Sequence, residues 1–404
     1  MIKEKCYMKV KPAERLNAVQ EYYFAAKLRQ IDRMRSSGID VINLGIGNPD
    51  QSPSENTIRQ LCSEASKPGI HGYQSYAGIP GLRKAFAEWY LKYFKVLLDP
   101  DSQILPLMGS KEGIMHITMA YIGEGDAVLI PNPGYPVYAS AAKLAGGIVK
   151  YYDLTEKSGW QPDISRIEDS DLSGVKLMWV NYPNMPTGTP ASANMFDKLV
   201  GFASRHNILL CNDNPYSFIL NKDYKSILAS QGAMDIALEL NSLSKSHNMA
   251  GWRIGMLAGN REYIQNILKF KSNMDSGMFY ALQMAAVEAL NNPPEWHDRI
   301  NIVYRKRRII AEEIMDILGC RYDRSQTGLF LWGKVPEMIS NTESFVEELL
   351  TGTGVFITPG FIFGSNGDGY IRISLCTDES KLLEAKNRLA SYLSPAGPVS
   401  GKIH

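Results

Sequence analysis

Short apolar runs rich in β-branched residues alternate with helix-like segments through the middle of the chain. The runs at Ala127 to Ile130, Ile148 to Tyr152, Val175 to Val180, Ile208 to Cys211 and Ile236 to Leu240 read as strands. Between them, Lys111 to Ile122, Tyr135 to Ala145 and Asn194 to His206 carry the wider spacing of helices. Strands that are apolar without strict alternation are buried on both faces, so this order predicts a mostly parallel sheet flanked by helices. Before it, Glu14 to Ser37 reads as one amphipathic helix closed by Gly38. After Asn291-Asn292-Pro293-Pro294 the pattern changes to a long charged helix, Glu295 to Leu318, then strands at Gly328 to Trp332, Val355 to Thr358 and Tyr370 to Ser374, and a closing helix Glu379 to Tyr392. That order predicts a smaller α+β domain. The expected division is a large domain over 49–292 and a small one built from 1–48 and 293–404, with Ser394 to His404 as a frayed tail.

Composition narrows the function. In 404 residues, 43 Lys and Arg nearly balance 42 Asp and Glu, which removes the electrostatic case for nucleic acid or an anionic membrane and leaves a small molecule as the expected partner. Five scattered cysteines without Cys-x-x-Cys spacing argue against a disulfide framework or structural zinc, and no metal is expected. Lys3, Glu4 and Lys5 are followed by no apolar leader, and no run of eighteen apolar residues occurs. A cytoplasmic protein is expected.

Candidate chemistry gathers at predicted strand ends, where α/β folds place their sites. Lys245, in Ser242-Leu243-Ser244-Lys245, lies between two apolar runs. It is either a turn lysine or an amine that forms a Schiff base with a carbonyl compound. Arg253, eight residues on, and Ser242 offer donors to phosphate oxygens. Gly109-Ser110-Lys111 opens a helix, where backbone amides favour an anion, or is an ordinary serine cap. Asp213 emerges from a buried strand, to cap a helix or to meet a cation. At about 4 Å and an effective dielectric near 20 such a pairing is worth roughly 4 kcal/mol, enough to keep a pyridine-type nitrogen protonated. Tyr216 lies three residues on. Tyr135, in a proline-rich turn, is a core residue or a ring that stacks on a flat cofactor. Arg372, inside an apolar strand, needs a carboxylate, structural or from substrate.

In this order the motifs resemble the class I and II aminotransferases, fold type I enzymes dependent on pyridoxal 5′-phosphate (PLP), and among them the aspartate, alanine and LL-diaminopimelate aminotransferases. The resemblance covers about Ile42 to Arg388. It implies that Lys245 forms the Schiff base with PLP, that Ser242, Arg253 and the Gly109–Lys111 turn bind the phosphate, and that Tyr135 stacks on the ring. Asp213 is implied to pair with the pyridine nitrogen and Tyr216 with the 3′ oxygen. Arg372 and Gly47 are implied to hold the substrate carboxylate, and Tyr73 to reach the phosphate from the second subunit of a homodimer. The family pattern Asn-Pro-Thr-Gly is broken here by Met185, which cannot donate a hydrogen bond. Asn184 or Asn181 supplies the amide instead, or Tyr216 bonds the oxygen alone. The implied reaction is ping-pong exchange of an amino group between an L-amino acid and a 2-oxo acid. A PLP-dependent lyase and a PLP-binding regulatory protein are the alternatives.

Overall fold

The computed structural model describes residues 10–21 and 23–394. Strand β1 (Ile42–Asn43) belongs to the N-terminal segment. The next seven strands form one sheet: β2 (Ile104–Leu107), β3 (Ala127–Asn132), β4 (Ile148–Asp153), β5 (Val175–Val180), β6 (Leu209–Asp213), β7 (Ala237–Ser242) and β8 (Gly255–Gly259). Their spatial order is β2-β8-β7-β6-β5-β3-β4. The pairs β3–β4, β3–β5, β5–β6 and β6–β7 are parallel, whereas β8 runs antiparallel to both β7 and β2. This mostly parallel sheet flanked by helices is the α/β fold that the pattern of apolar runs predicts. Strands β3, β5, β6 and β7 thus end on the edge where β8 begins.

The remaining strands are β9 (Arg321–Tyr322), β10 (Phe330–Lys334), β11 (Val355–Phe356), β12 (Thr358–Pro359) and β13 (Tyr370–Ser374). They form an antiparallel sheet in the order β12-β13-β10-β9, while β1 pairs in parallel with β11. The N-terminal segment is therefore built into the C-terminal part. Phe24, Ile31, Val41 and Leu44 share one apolar core with Ile314, Leu331, Val355 and Leu389. Two further cores line the two sides of the seven-stranded sheet.

Several elements differ from the sequence expectation. The helix expected over Glu14 to Ser37 breaks into a 3-10 turn, Glu14–Ala18, and a helix, Tyr23–Ser36. The turn buries none of its residues and Val19 leaves it in extended conformation, so no packed face carries the helix through. Strand β2 was not expected because Pro106 interrupts it; it pairs with β8 alone, and an edge strand tolerates proline. The helix Pro80–Phe94 was not expected; proline occupies its first position, where the missing N–H costs nothing. The expected frayed tail lies outside the described residues from 395 onward.

One ion pair locks the segment after Gly47 to the long helix Pro294–Ile317. Arg307 donates through both terminal nitrogens to the carboxylate of Asp50, each at 2.7 Å, and also to the Leu375 carbonyl. The arginine side chain is 5% exposed and the aspartate 34%. Asp50→Ala leaves a buried guanidinium without its counter-charge; since one partner is partly hydrated, we expect a loss of roughly 2 kcal/mol in urea unfolding. A loss within error of zero would show that the pair is not a fastener.

Candidate active site

The edge formed by the ends of β3, β5, β6 and β7 opens on a cavity of about 580 Å³. Each strand hands its next residues to the cavity: Tyr135 after β3, Asn181 after β5, Asp213 at the tip of β6, and the short helix Leu243–Ser246, with Lys245, after β7. Because β8 runs the opposite way, Arg253, two residues before its start, is delivered to the same edge. Strand β2 runs parallel to the others and delivers the helix Ser110–Tyr121 there. Gly47, in the segment after β1, and Arg372, on β13, also line the cavity.

The Lys245 ammonium donates to the Gly47 carbonyl. Burial pulls its pKa below the ordinary lysine value, and the charges of Arg372 and Arg253 add to this while Cys376 opposes it. A shift in this direction makes the free amine more available as nucleophile and base.

Asp213 is the most demanding group in the cavity. Its Oδ2 accepts from the Tyr138 hydroxyl at 3.0 Å, but Oδ1 is buried with no hydrogen-bond partner among the described residues. Burial pushes its pKa from 3.8 up to about 7; the Tyr138 bond opposes the rise, and buried Glu239 adds to it. A cationic N–H donor set against Oδ1 would reverse that cost, so the residue fits a protonated heterocycle. Tyr138 itself is missing from the sequence reading. It stacks on Trp179 with centroids 4.9 Å apart, one helical turn beyond Tyr135, and that spacing was the available signal.

At the other end, the arginine fork lies against a helix start. Gly109 has φ of 85°, and a Cβ there would fall 2.1 Å from an Arg253 nitrogen. Glycine is thus required both for the turn and for the close approach of Arg253. Arg253 donates to the Ala250 carbonyl at 3.0 Å, and Ser242 bonds Ser244 at 2.8 Å. With Ser110 and Lys111, Arg253 and Ser242 line the cavity and offer the donors that an anion cradle needs.

Arg372 is 4% exposed and lies on β13. It donates to the Gly45 carbonyl at 2.7 Å and meets the Met185 sulfur at 3.2 Å. Its guanidinium carbon sits 3.8 Å from the Phe330 ring centre and 4.6 Å from that of Phe363. Tyr216 packs edge-on against the same Phe330.

Two predicted residues lie elsewhere. Asn184 does not line the cavity: its Nδ2 donates to the Asn181 carbonyl, and its Oδ1 accepts from the Thr187 amide and hydroxyl. Those bonds shape the turn, and it is Asn181 and Met185 that face the cavity. Tyr73 is 94% exposed and outside this cavity. Phe24, Ala25 and Leu28, from a helix that sequence reasoning did not connect to the site, also line it.

Residues 39–389 match the model of a family described as aminotransferase class I and II. An LL-diaminopimelate aminotransferase of Dehalococcoides mccartyi is 41% identical over 385 residues, covering 95% of this chain and 99% of the relative. One from Aquifex aeolicus is 41% identical over 379 residues, covering 93% and 98%. Among solved structures, apo-BacF from Bacillus subtilis is 32% identical with a TM-score of 0.91, covering 96% of this chain and 99% of that one. The Thermus thermophilus aspartate aminotransferase with maleate is 26% identical with a TM-score of 0.88, covering 94% and 99%.

The Asp213 carboxyl sets a pH dependence. Its folded pKa exceeds its unfolded value, so the folded cofactor-free protein binds the extra proton between about pH 4 and pH 7, and stability falls as pH rises through that window. Asp213→Asn removes this contribution. Urea unfolding of cofactor-free protein should show the variant gaining on the parent by up to roughly 1.4 kcal/mol per pH unit between about pH 5 and 7. Parallel pH profiles for the two proteins would refute the assignment.

Proposed function

The chain belongs to the class I and II aminotransferases, enzymes that exchange an amino group between an L-amino acid and a 2-oxo acid with PLP in a ping-pong cycle, and from that premise we propose how its residues divide the work. The carrying observation is that one cavity holds a half-buried lysine, a buried carboxylate with a bare oxygen, and an arginine at each of two ends. PLP, when bound, supplies the electron sink for the electrons of the Cα–H bond. Arg253, Ser242, Ser110 and Lys111 would hold its phosphate, with Gly109 giving the arginine room. Asp213, fixed in direction by Tyr138, would meet the ring nitrogen through Oδ1. Tyr216 and Asn181, in place of Asn184, would serve the ring's phenolic oxygen. Tyr135 would flank the ring.

Arg372 grips the substrate carboxylate by its fork. Its packing between Phe330 and Phe363 excludes water and limits its rotation. Gly47 keeps its backbone close to the same group: a Cβ there would strike Phe330. Lys245 is the residue that would hold the cofactor's carbonyl carbon, and its Nζ would take the Cα proton and return it as general acid. The lowered pKa of Nζ favours that exchange, because less energy is needed to free its lone pair.

We further propose a homodimer in which Tyr73 completes the phosphate site of the second copy. Its near-complete exposure, beside the loop Ser276 to Phe279, supports a surface that a partner covers. The division into units of 49–292 and of 1–48 with 293–404 is proposed on the separate apolar cores. A cytoplasmic setting accords with free Cys62, Cys211, Cys320 and Cys376. Among the described residues no helix is long and apolar enough to cross a membrane.

Borohydride treatment of the loaded enzyme should attach the cofactor to the peptide containing Lys245, and Lys245→Ala should lose both that attachment and transamination, the latter by at least roughly 10³-fold. Attachment elsewhere, or retained turnover, would sink the assignment. For Tyr73→Phe we expect an intact dimer by sedimentation and about tenfold weaker cofactor retention, the worth of one hydrogen bond to a charged group. A fully active monomer would dispose of the shared site.

A further inference from the structure

Behind the anion cradle, on the far side of its helix, lies a buried polar cluster that the transamination chemistry does not use. Glu112 and His116 stand one turn apart on the helix Ser110–Tyr121, and Asp275 reaches them from the segment after the helix Arg261–Lys271. The side chain of His116 is 1% exposed, Glu112 9% and Asp275 8%. Each of the three can bring one donor atom to within 4.8 Å of the others.

The two carboxylates are held in the same way. Glu112 accepts the Met108 amide on Oε2, leaving Oε1 bare; Asp275 accepts the Lys271 ammonium at 2.6 Å and the Gly277 amide at 2.9 Å on Oδ1, leaving Oδ2 bare. Both ring nitrogens of His116 also lack a hydrogen-bond partner among the described residues, and Nε2 stands 3.2 Å from Glu112 Oε1. Each carboxylate thus has one oxygen oriented by a donor and the other bare, close to an imidazole whose two ring nitrogens are bare as well. That is how outer contacts aim metal ligands. Without an occupant, several buried acceptors go unsatisfied, which is costly in a low-dielectric interior.

The charge points the same way. Two carboxylates against one ammonium leave a net charge of minus one around a ring that can offer a lone pair. A water molecule supplies two protons and no charge, whereas a divalent cation supplies charge and accepts all three donors. One imidazole nitrogen and two carboxylate oxygens suit zinc or cobalt better than calcium or magnesium. Bonds of about 2.0–2.1 Å in a tetrahedral site set donor atoms roughly 3.3 Å apart, close to the His116–Glu112 separation.

We propose that Glu112, His116 and Asp275 form a structural site for a divalent transition metal of the zinc class, with water as a fourth ligand. The metal would fasten the segment around Asp275 to the first turn of the helix whose amides face Arg253. Cysteine spacing gives no sign of such a site, since no thiol takes part; the Glu-x-x-x-His step on one helix face is its only local trace.

The test uses PLP-loaded enzyme stripped with chelator and dialysed against zinc or cobalt(II). One metal per chain by elemental analysis is expected, with a cobalt absorption band in the visible, and added zinc should raise the melting temperature by several degrees. His116→Phe, which keeps a ring against Phe270, should fold, retain less than a tenth of the metal and show no zinc-dependent rise; Asp275→Asn should weaken binding at least tenfold. Equal metal in parent and His116→Phe would place it elsewhere and overturn the proposal. So would a parent that takes up no metal at micromolar concentration, with His116 seen by nuclear magnetic resonance as an imidazolium paired to the carboxylates.

Discussion

The arrangement of the cavity depends on a carboxylate placed where no counter-charge meets it among the described residues. Asp213 is 5% exposed at the tip of a strand buried on both faces, with one oxygen bonded to Tyr138 and the other to nothing among the described residues. The rise of its pKa from 3.8 to about 7 corresponds to roughly 4 kcal/mol of preference for the neutral form. Little in a folding chain favours such a position on its own account. Around it, Tyr138 is fixed by stacking on Trp179, Asn181 donates to the Asp213 backbone carbonyl, and Asn212 ties the neighbouring turn to Glu239. These contacts keep the acid aimed while leaving its free oxygen for a ligand.

The same division between held and offered groups runs through the site. Arg372 spends one nitrogen on the Gly45 carbonyl and is pressed between two phenyl rings. Its direction is set before substrate arrives, so less freedom is lost on binding. Met185 belongs to this setting. Where an amide would hydrogen-bond, its thioether touches the guanidinium and fills the space beside it without competing for a carboxylate.

Much of this was legible because it is local. The sheet follows from apolar runs at regular intervals, and Lys245, Asp213 and Arg253 are conspicuous as polar residues at the ends of such runs. Their convergence was legible only through the family resemblance, since one antiparallel strand decides which edge Arg253 joins. What escaped depends on packing between distant segments. Tyr138 looks like any helix residue until Trp179 is set beneath it, and Phe24 with Leu28 meets the cavity only because β1 pairs with β11, more than three hundred residues away in sequence. Asn184 and Asn181 differ in which way a proline-bounded turn faces. Strand β2 and the helix Pro80–Phe94 were not expected from the sequence, and each contains a proline, Pro106 within the edge strand and Pro80 at the helix start, where proline is tolerated.

The lone reversed strand gives the two rims of the sheet unequal freedom to change. The chain between Ser242 and Gly255 leaves β7 and enters β8 on one rim, so every residue in it counts toward the distance from the lysine to the arginine; an extra residue there would slide one past the other. On the opposite rim the connections at Gly125, Gly146 and Asn207 are turns with positive φ that carry nothing to the cavity. Lineages of this fold can therefore lengthen or shorten their chains along the far rim while the near one keeps its count, a ruler written in the backbone.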